Sequence, residues 1–217
     1  TRKESSAASD VYKRQAPVLT PVNDFILRYR WQAFLLLGLI ATYRMSDTVM
    51  GVMANVFYID QGFTKDQIAS VSKLFGLIMT LVGAGAGGLL IVRFGILPIL
   101  FIGGSASAAT NLLFMLLSGM GADLQMLIFT ISADNFSSGL ATAAFVAYLS
   151  SLTNLKFSAT QYALLSSIML LLPRLIGGYS GVLVEKFGYA DFFLITALMG
   201  VPTLLLILVQ WRQQGRA

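Results

Sequence analysis

Six runs of about twenty mainly apolar residues, joined by turns too short to hold a domain, constrain this chain more than any single motif. The runs cover residues 31–58, 67–92, 96–117, 124–149, 159–184 and 192–211. Each is long enough to cross a hydrocarbon core as a helix, which takes about 20 residues. The segments between them carry turn chemistry: Asp60-Gln61-Gly62, Arg93-Phe94-Gly95, Ser118-Gly119-Met120-Gly121, Thr153-Asn154 and Lys186-Phe187-Gly188. Because backbone polar groups in lipid must be satisfied within the segment, these runs predict an all-α polytopic membrane protein of six spans.

The spans contain a repeat. Phe63, Gln67, Ala69, Ser72 and Gly83 recur 94 residues later as Phe157, Gln161, Ala163, Ser166 and Gly177. After a one-residue slip, Gly88, Phe94 and Gly95 recur as Gly181, Phe187 and Gly188. A unit of three spans leaves the membrane on the opposite side, so the second copy is expected upside down: 31–122 and 123–217 form two inverted three-helix units. The runs Gly83 to Gly88 and Gly177 to Gly181 lie inside spans and are read as close helix packing.

Composition removes most enzyme chemistry. The chain has no His and no Cys, so zinc sites, haem ligation, thiol nucleophiles and His-based triads are excluded, and no cofactor is expected. Charged residues make up only 12% of the chain, against about 25% in soluble domains. Residues 5–15, S-S-A-A-S-D-V-Y-K-R-Q, match the translation of a sequencing-library transposase adaptor, and residues 1–4 fit its upstream end. Residues 1–15 are therefore expected to be foreign and unpacked, with 16–30 a cytoplasmic lead-in. Without those fifteen residues, which hold four Lys/Arg and two Asp/Glu, the net charge falls from +5 to +3. No nucleic-acid partner is expected from the basic tail. With the N-terminal side inside, Arg28, Arg30, Arg93, Lys156, Arg212 and Arg216 are cytoplasmic against Lys65 and Lys186 outside, so both ends of the chain are expected in the cytoplasm.

Five ionisable residues fall within the runs: Arg44, Asp47, Lys73, Asp134 and Arg174. A charge at a helix centre costs about 2.5–3.5 kcal/mol to insert, so each should face protein or water. Arg44 and Asp47 are three apart on one face and can pair with each other. Lys73 lies near enough to a membrane end to snorkel, or it can pair with Asp47 or Asp134. Arg174 follows the helix-weakening Pro173 and suits an anionic ligand. Tyr43, Ser46, Asn55, Ser132, Asn135, Ser138, Tyr148 and Gln161 add hydrogen-bonding groups to the same four helices. Asp47 and Asp134 are the candidate proton-coupling carboxylates; Asp134 is preferred because no cation lies three or four residues from it. The same two aspartates are also the only candidate acid pair for an embedded enzyme, the least favoured reading.

The blocks Tyr43-Arg44-Met45-Ser46-Asp47, Ala133-Asp134-Asn135, Ala144 to Leu152 and Phe157 to Ala163 resemble the AmpG muropeptide permeases of Gram-negative bacteria, within the major facilitator superfamily. The resemblance runs from about Pro21 to Trp211. It implies the C-terminal six-helix half of a twelve-helix carrier, partnered by an N-terminal half in the bacterial inner membrane. It implies proton-driven import of GlcNAc-anhydroMurNAc-peptides for peptidoglycan recycling. The third helix of each unit is then expected at the periphery. Arg44, Lys73 and Arg174, with Tyr43 and Asn135, are the candidate substrate contacts. Other carriers of the same fold, such as acetyl-CoA transporters or peptide-proton symporters, are the alternative.

Overall fold

The structure, a computed structural model, describes residues 20–155 and 157–214. The adaptor-like residues 1–15, and Lys156 and Arg216 of the charge count, lie outside the described residues. Among the described residues there are helices and turns and no strand. A short helix α1 (20–29) ends at Arg30, whose left-handed backbone (φ 48°) turns the chain into the first span.

That span is two helices, α2 (Gln32–Tyr43) and α3 (Met45–Asp60), and not the continuous run expected from 31–58. Arg44 forms the joint in a bridge conformation (φ −93°, ψ 6°) without Gly or Pro. The second span comprises α4 (Lys65–Val71), a π turn (Ser72–Gly76) and α5 (Leu77–Phe94). Thr64 and Gln67 start it with a reciprocal capping box. The third span is α6 (Ile96–Ser118) and the fourth α7 (Leu124–Leu152), begun by Asp123 accepting from the Gln125 and Met126 amides. The fifth span starts with α8 (Ser158–Gly177) and continues into α9 (Ser180–Leu198), which reverses direction at Gly188. The sixth runs from that reversal through α10 (Gly200–Gln214).

The two Phe-Gly turns of the repeat adopt one backbone shape. Gly95 has φ 87°, ψ 173°, and Gly188 has φ 79°, ψ 172°, a region essentially restricted to glycine. An added Cβ would meet open space at both, so glycine is needed there for its backbone and not for clearance.

Five stretches are long and apolar enough to cross a membrane: Gln32–Asp60, Lys65–Phe94, Ile96–Ser118, Ser158–Gly177 and Ser180–Gln213. Helix α7 is not among them although it has 29 residues. Thr130, Ser132, Asp134, Asn135, Ser137, Ser138 and Thr142 dilute its hydropathy. It tolerates them because it packs between α5 and α6, with twelve of its residues buried.

Packing partners exchange between the two units: α5 lies on α7, while α8 lies on α2 and α3. The α5–α7 seam is a backbone contact. A Cβ on Gly83 would collide with the Phe136 carbonyl, one on Gly139 with the Thr80 carbonyl, and one on Gly87 would come within 3.1 Å of Leu140 O. Gly177, the counterpart of Gly83, meets only the Val52 side chain, at 3.2 Å.

The apolar core divides in two. One cluster holds Leu36, Tyr43, Leu100, Ala141 and Ile207; the other holds Val49, Phe57, Phe114, Ile131 and Phe193. On α2–α3, α6 and α7 the polar residues Arg44, Ser46 and Asp47, then Ser107, Thr110 and Asn111, then Asp134, Asn135, Ser137 and Ser138 fall in sequence between members of the two clusters. A polar layer therefore crosses the middle of the bundle.

Candidate functional site

Arg44 organises that layer. Its guanidinium contacts Asp47 Oδ2 at 2.9 Å and donates to Thr142 Oγ1 at 2.9 Å, tying the joint of the first span to its own next turn and to α7. Asp47 Oδ2 also accepts from Ser138 Oγ at 3.4 Å. The i, i+3 pairing anticipated from the sequence is present, and both side chains remain partly exposed, 24% and 14%.

Asp134 is held differently. Its Oδ1 lies 3.1 Å from the Thr110 hydroxyl, which is also 2.9 Å from the Ser107 carbonyl. No cation forms an ion pair with it among the described residues. Of the two aspartates, only Asp47 has a basic partner in contact. Lys73 and Arg174 are both exposed, and neither makes an ion pair among the described residues. The pairing of Lys73 with Asp47 or Asp134 allowed by the sequence is not made.

A buried polar cluster joins Ser46, expected among the interior hydrogen-bonding groups, to Asn111 and Thr196, which were not. Asn111 Nδ2 donates to Ser46 Oγ at 2.9 Å and to Thr196 Oγ1 at 3.1 Å, while Ser46 Oγ donates to the Thr196 carbonyl at 2.7 Å. Thr110 and Asn111 belong to α6, one of the two spans without ionisable residues that were expected at the periphery. Here α6 packs on α7, α9 and α10 and supplies the hydroxyl that meets Asp134. The available signal was its run of small and polar residues, Ser105 to Asn111.

Three expected contributors are engaged elsewhere. Tyr43 is buried, stacks on Phe145 at 4.5 Å, and donates to the Leu100 carbonyl at 3.1 Å, joining the first, third and fourth spans. Tyr148 donates to Gln210 Oε1 at 2.7 Å within the core. Asn135 donates to the Ile131 carbonyl of its own helix at 2.8 Å and accepts from Thr80 at 3.1 Å, fixing α7 to α5 just past the π turn.

Gln161 was counted with the polar interior, yet it holds the lead-in helix. Its amide donates to the Pro21 carbonyl and to Asp24 Oδ2, each at 3.0 Å, and its carbonyl accepts the Asn154 amide at 2.7 Å. Arg28 bridges Asp24 at 2.8 Å and the Leu152 carbonyl at 3.1 Å. With Phe25 buried beneath, α1 is a packed part of the bundle.

No family model matches the chain. Among curated proteins it is similar to a putative transporter, AmpG 4, of Rickettsia conorii, 37% identical over 191 residues, which cover 88% of this chain and 46% of the relative. A putative transporter AmpG 1 of Rickettsia prowazekii is 34% identical over 186 residues, covering 86% of this chain and 42% of the relative. The anhydromuropeptide permease of Escherichia coli K12 is 36% identical over 193 residues, covering 88% of this chain and 39% of the relative. The chain thus spans less than half the length of these curated relatives. Its multi-pass helical architecture and this sustained identity place the chain in the AmpG transporter family.

Proposed function

We propose that the complete protein imports anhydro-muropeptides across the bacterial inner membrane together with protons moving down their gradient, serving peptidoglycan recycling. Identity of 36% to an anhydromuropeptide permease over 88% of the chain is the observation that carries the substrate class. In this reading residues 31–122 and 123–217 are two inverted units, both ends of the chain are cytoplasmic, and a further six-helix half of the same protein completes the cavity. A sugar-peptide bearing carboxylates needs a wide polar cavity with cations, and Lys73 and Arg174 offer two that are exposed and unpaired among the described residues.

The proton site in this account is Asp134. The Thr110 hydroxyl has one proton and two acceptors within reach, Asp134 Oδ1 and the Ser107 carbonyl. When Asp134 is ionised, Thr110 donates to it. When Asp134 is protonated, the acid donates to the Thr110 oxygen and the hydroxyl turns to Ser107. Both protonation states are hydrogen-bonded without moving a heavy atom, which suits a group that must load and release a proton. Asp47, in contact with Arg44 at 2.9 Å, positions the layer. Each charge carried inward gains about 2.3 kcal/mol per 100 mV of membrane potential.

The test is uptake of labelled GlcNAc-anhydroMurNAc-tripeptide by the full-length protein in proteoliposomes, with an imposed proton gradient. Accumulation that collapses with a protonophore supports the reading. Failure to accumulate this solute, with accumulation of acetyl-CoA or of an ordinary peptide instead, assigns the protein to one of those carrier classes.

A further inference from the structure

At one end of the first two spans a groove of about 390 Å³ is lined by Asn55, Ile59, Lys65, Ile68, Ser72 and Lys73, with Ala69 beside them. Two lysines eight residues apart therefore converge on a single surface. Neither has an ion pair among the described residues, and the Asn55 amide and Ser72 hydroxyl have no hydrogen bond there. The neighbouring acids do not line it: Asp66 lies beyond its walls, and Asp60 accepts the Tyr189 hydroxyl at 2.5 Å.

Two features of the second span set this groove apart from its repeat counterpart. Lys65 opens α4 next to the Thr64 cap, whereas its counterpart in the repeat is Ala159. Ser72 and Lys73 open the π turn, a distortion often found at functional sites. The equivalent residues Ser166 and Ser167 lie in unbroken α8 and return their hydroxyls to the Tyr162 and Ala163 carbonyls at 2.7 and 2.9 Å. Symmetry of the repeat thus accounts for the helix and not for the cationic groove.

We propose that Lys65, Lys73, Asn55 and Ser72 form an oxyanion subsite that receives a carboxylate of the transported solute's peptide, over the apolar floor of Ile59 and Ile68. This rests on the muropeptide reading above and adds to it the part of the solute that is recognised here. Ammonium groups supply charge-assisted hydrogen bonds to the carboxylate oxygens, while the amide and hydroxyl satisfy the remaining lone pairs.

The experiment compares half-saturation for labelled GlcNAc-anhydroMurNAc-tripeptide and for the peptide-free disaccharide in the full-length protein and in Lys65→Gln, Asn55→Leu and Lys65→Arg variants, in proteoliposomes of phosphatidylcholine and of phosphatidylcholine with phosphatidylglycerol. Lys65→Gln should lower the preference for the tripeptide over the disaccharide about tenfold in both lipids. Asn55→Leu should lower it less, and Lys65→Arg should restore most of it. An unchanged preference in Lys65→Gln overturns the subsite. A loss confined to anionic vesicles also overturns it, by assigning the lysines to lipid phosphate. If the unmodified protein carries neither solute, the muropeptide reading fails first, and that outcome is distinct from either of these.

Discussion

The second spans of the two units begin with the same Phe/Gln/Ala/Ser pattern and end in the same Phe-Gly reversal, yet they differ in between. The α4–α5 span has a π turn carrying Lys73 and a glycine seam closed against α7. The α8–α9 span runs regularly to Pro173 and Arg174, then breaks at Gly178 and Tyr179. Gly177 touches only a side chain, Gly178 only the turn before it, and Gly181 open space. Each span places one exposed cation beside its irregularity, by a different device. The shared ends carry the repeat, and the middles are where the two copies diverge.

The largest expected difference lies in the seam. In the full-length protein Gly83→Ala should cost about 3 kcal/mol, because the new methyl meets the Phe136 backbone and α5 must leave α7. Gly177→Ala should cost under about 1 kcal/mol, since the Val52 side chain can yield. Thermal unfolding in detergent reads both, and equal losses would break the comparison. The two reversals should instead behave alike: Gly95→Ala and Gly188→Ala share one strained backbone shape and should each cost about 1–3 kcal/mol. A large inequality would mean that the turns are not equivalent.

A smaller effect separates the paired glutamines. Gln67 completes a capping box, so Gln67→Ala should cost about 1 kcal/mol or less. Gln161 is buried and bonded to Pro21, Asp24 and Asn154, so Gln161→Ala should cost about 2 kcal/mol and release α1, read as faster amide exchange over residues 20–29. Acid should loosen the same contact. Hydrogen bonds from Arg28, and then from Gln161, hold the Asp24 carboxyl below its ordinary value of 3.8. The stabilisation it gives is therefore present above that pH and lost as pH falls through the lowered value.

Much of this was legible in the sequence because hydropathy, turn glycines and i, i+3 spacing are local signals. The six spans, the Phe-Gly turns and the Arg44–Asp47 pair follow from them. The joint at Arg44 was not legible, since it has no Gly or Pro to force it and rests on the partners Arg44 finds, Asp47 and Thr142; the π turn at 72–76 was not legible either, since Gly76 at its end is one of many glycines in these spans. Thr110 was missed for a related reason. A neutral hydroxyl in an apolar span carries no charge to mark it, and its importance depends on α6 and α7 placing it 3.1 Å from Asp134. Gln161 was misplaced because nothing local shows that a lead-in helix folds back onto the start of the fifth span.

The measurement closest to the core of this account is transport by full-length Asp134→Asn. Asparagine keeps the shape and can still bond to Thr110, but it cannot take up or release a proton. Proton-driven accumulation of labelled anhydro-muropeptide should be abolished, while exchange of internal for external solute should continue at a rate near that of the unmodified protein. Accumulation at the unmodified level in Asp134→Asn would contradict it and remove Asp134 from proton coupling.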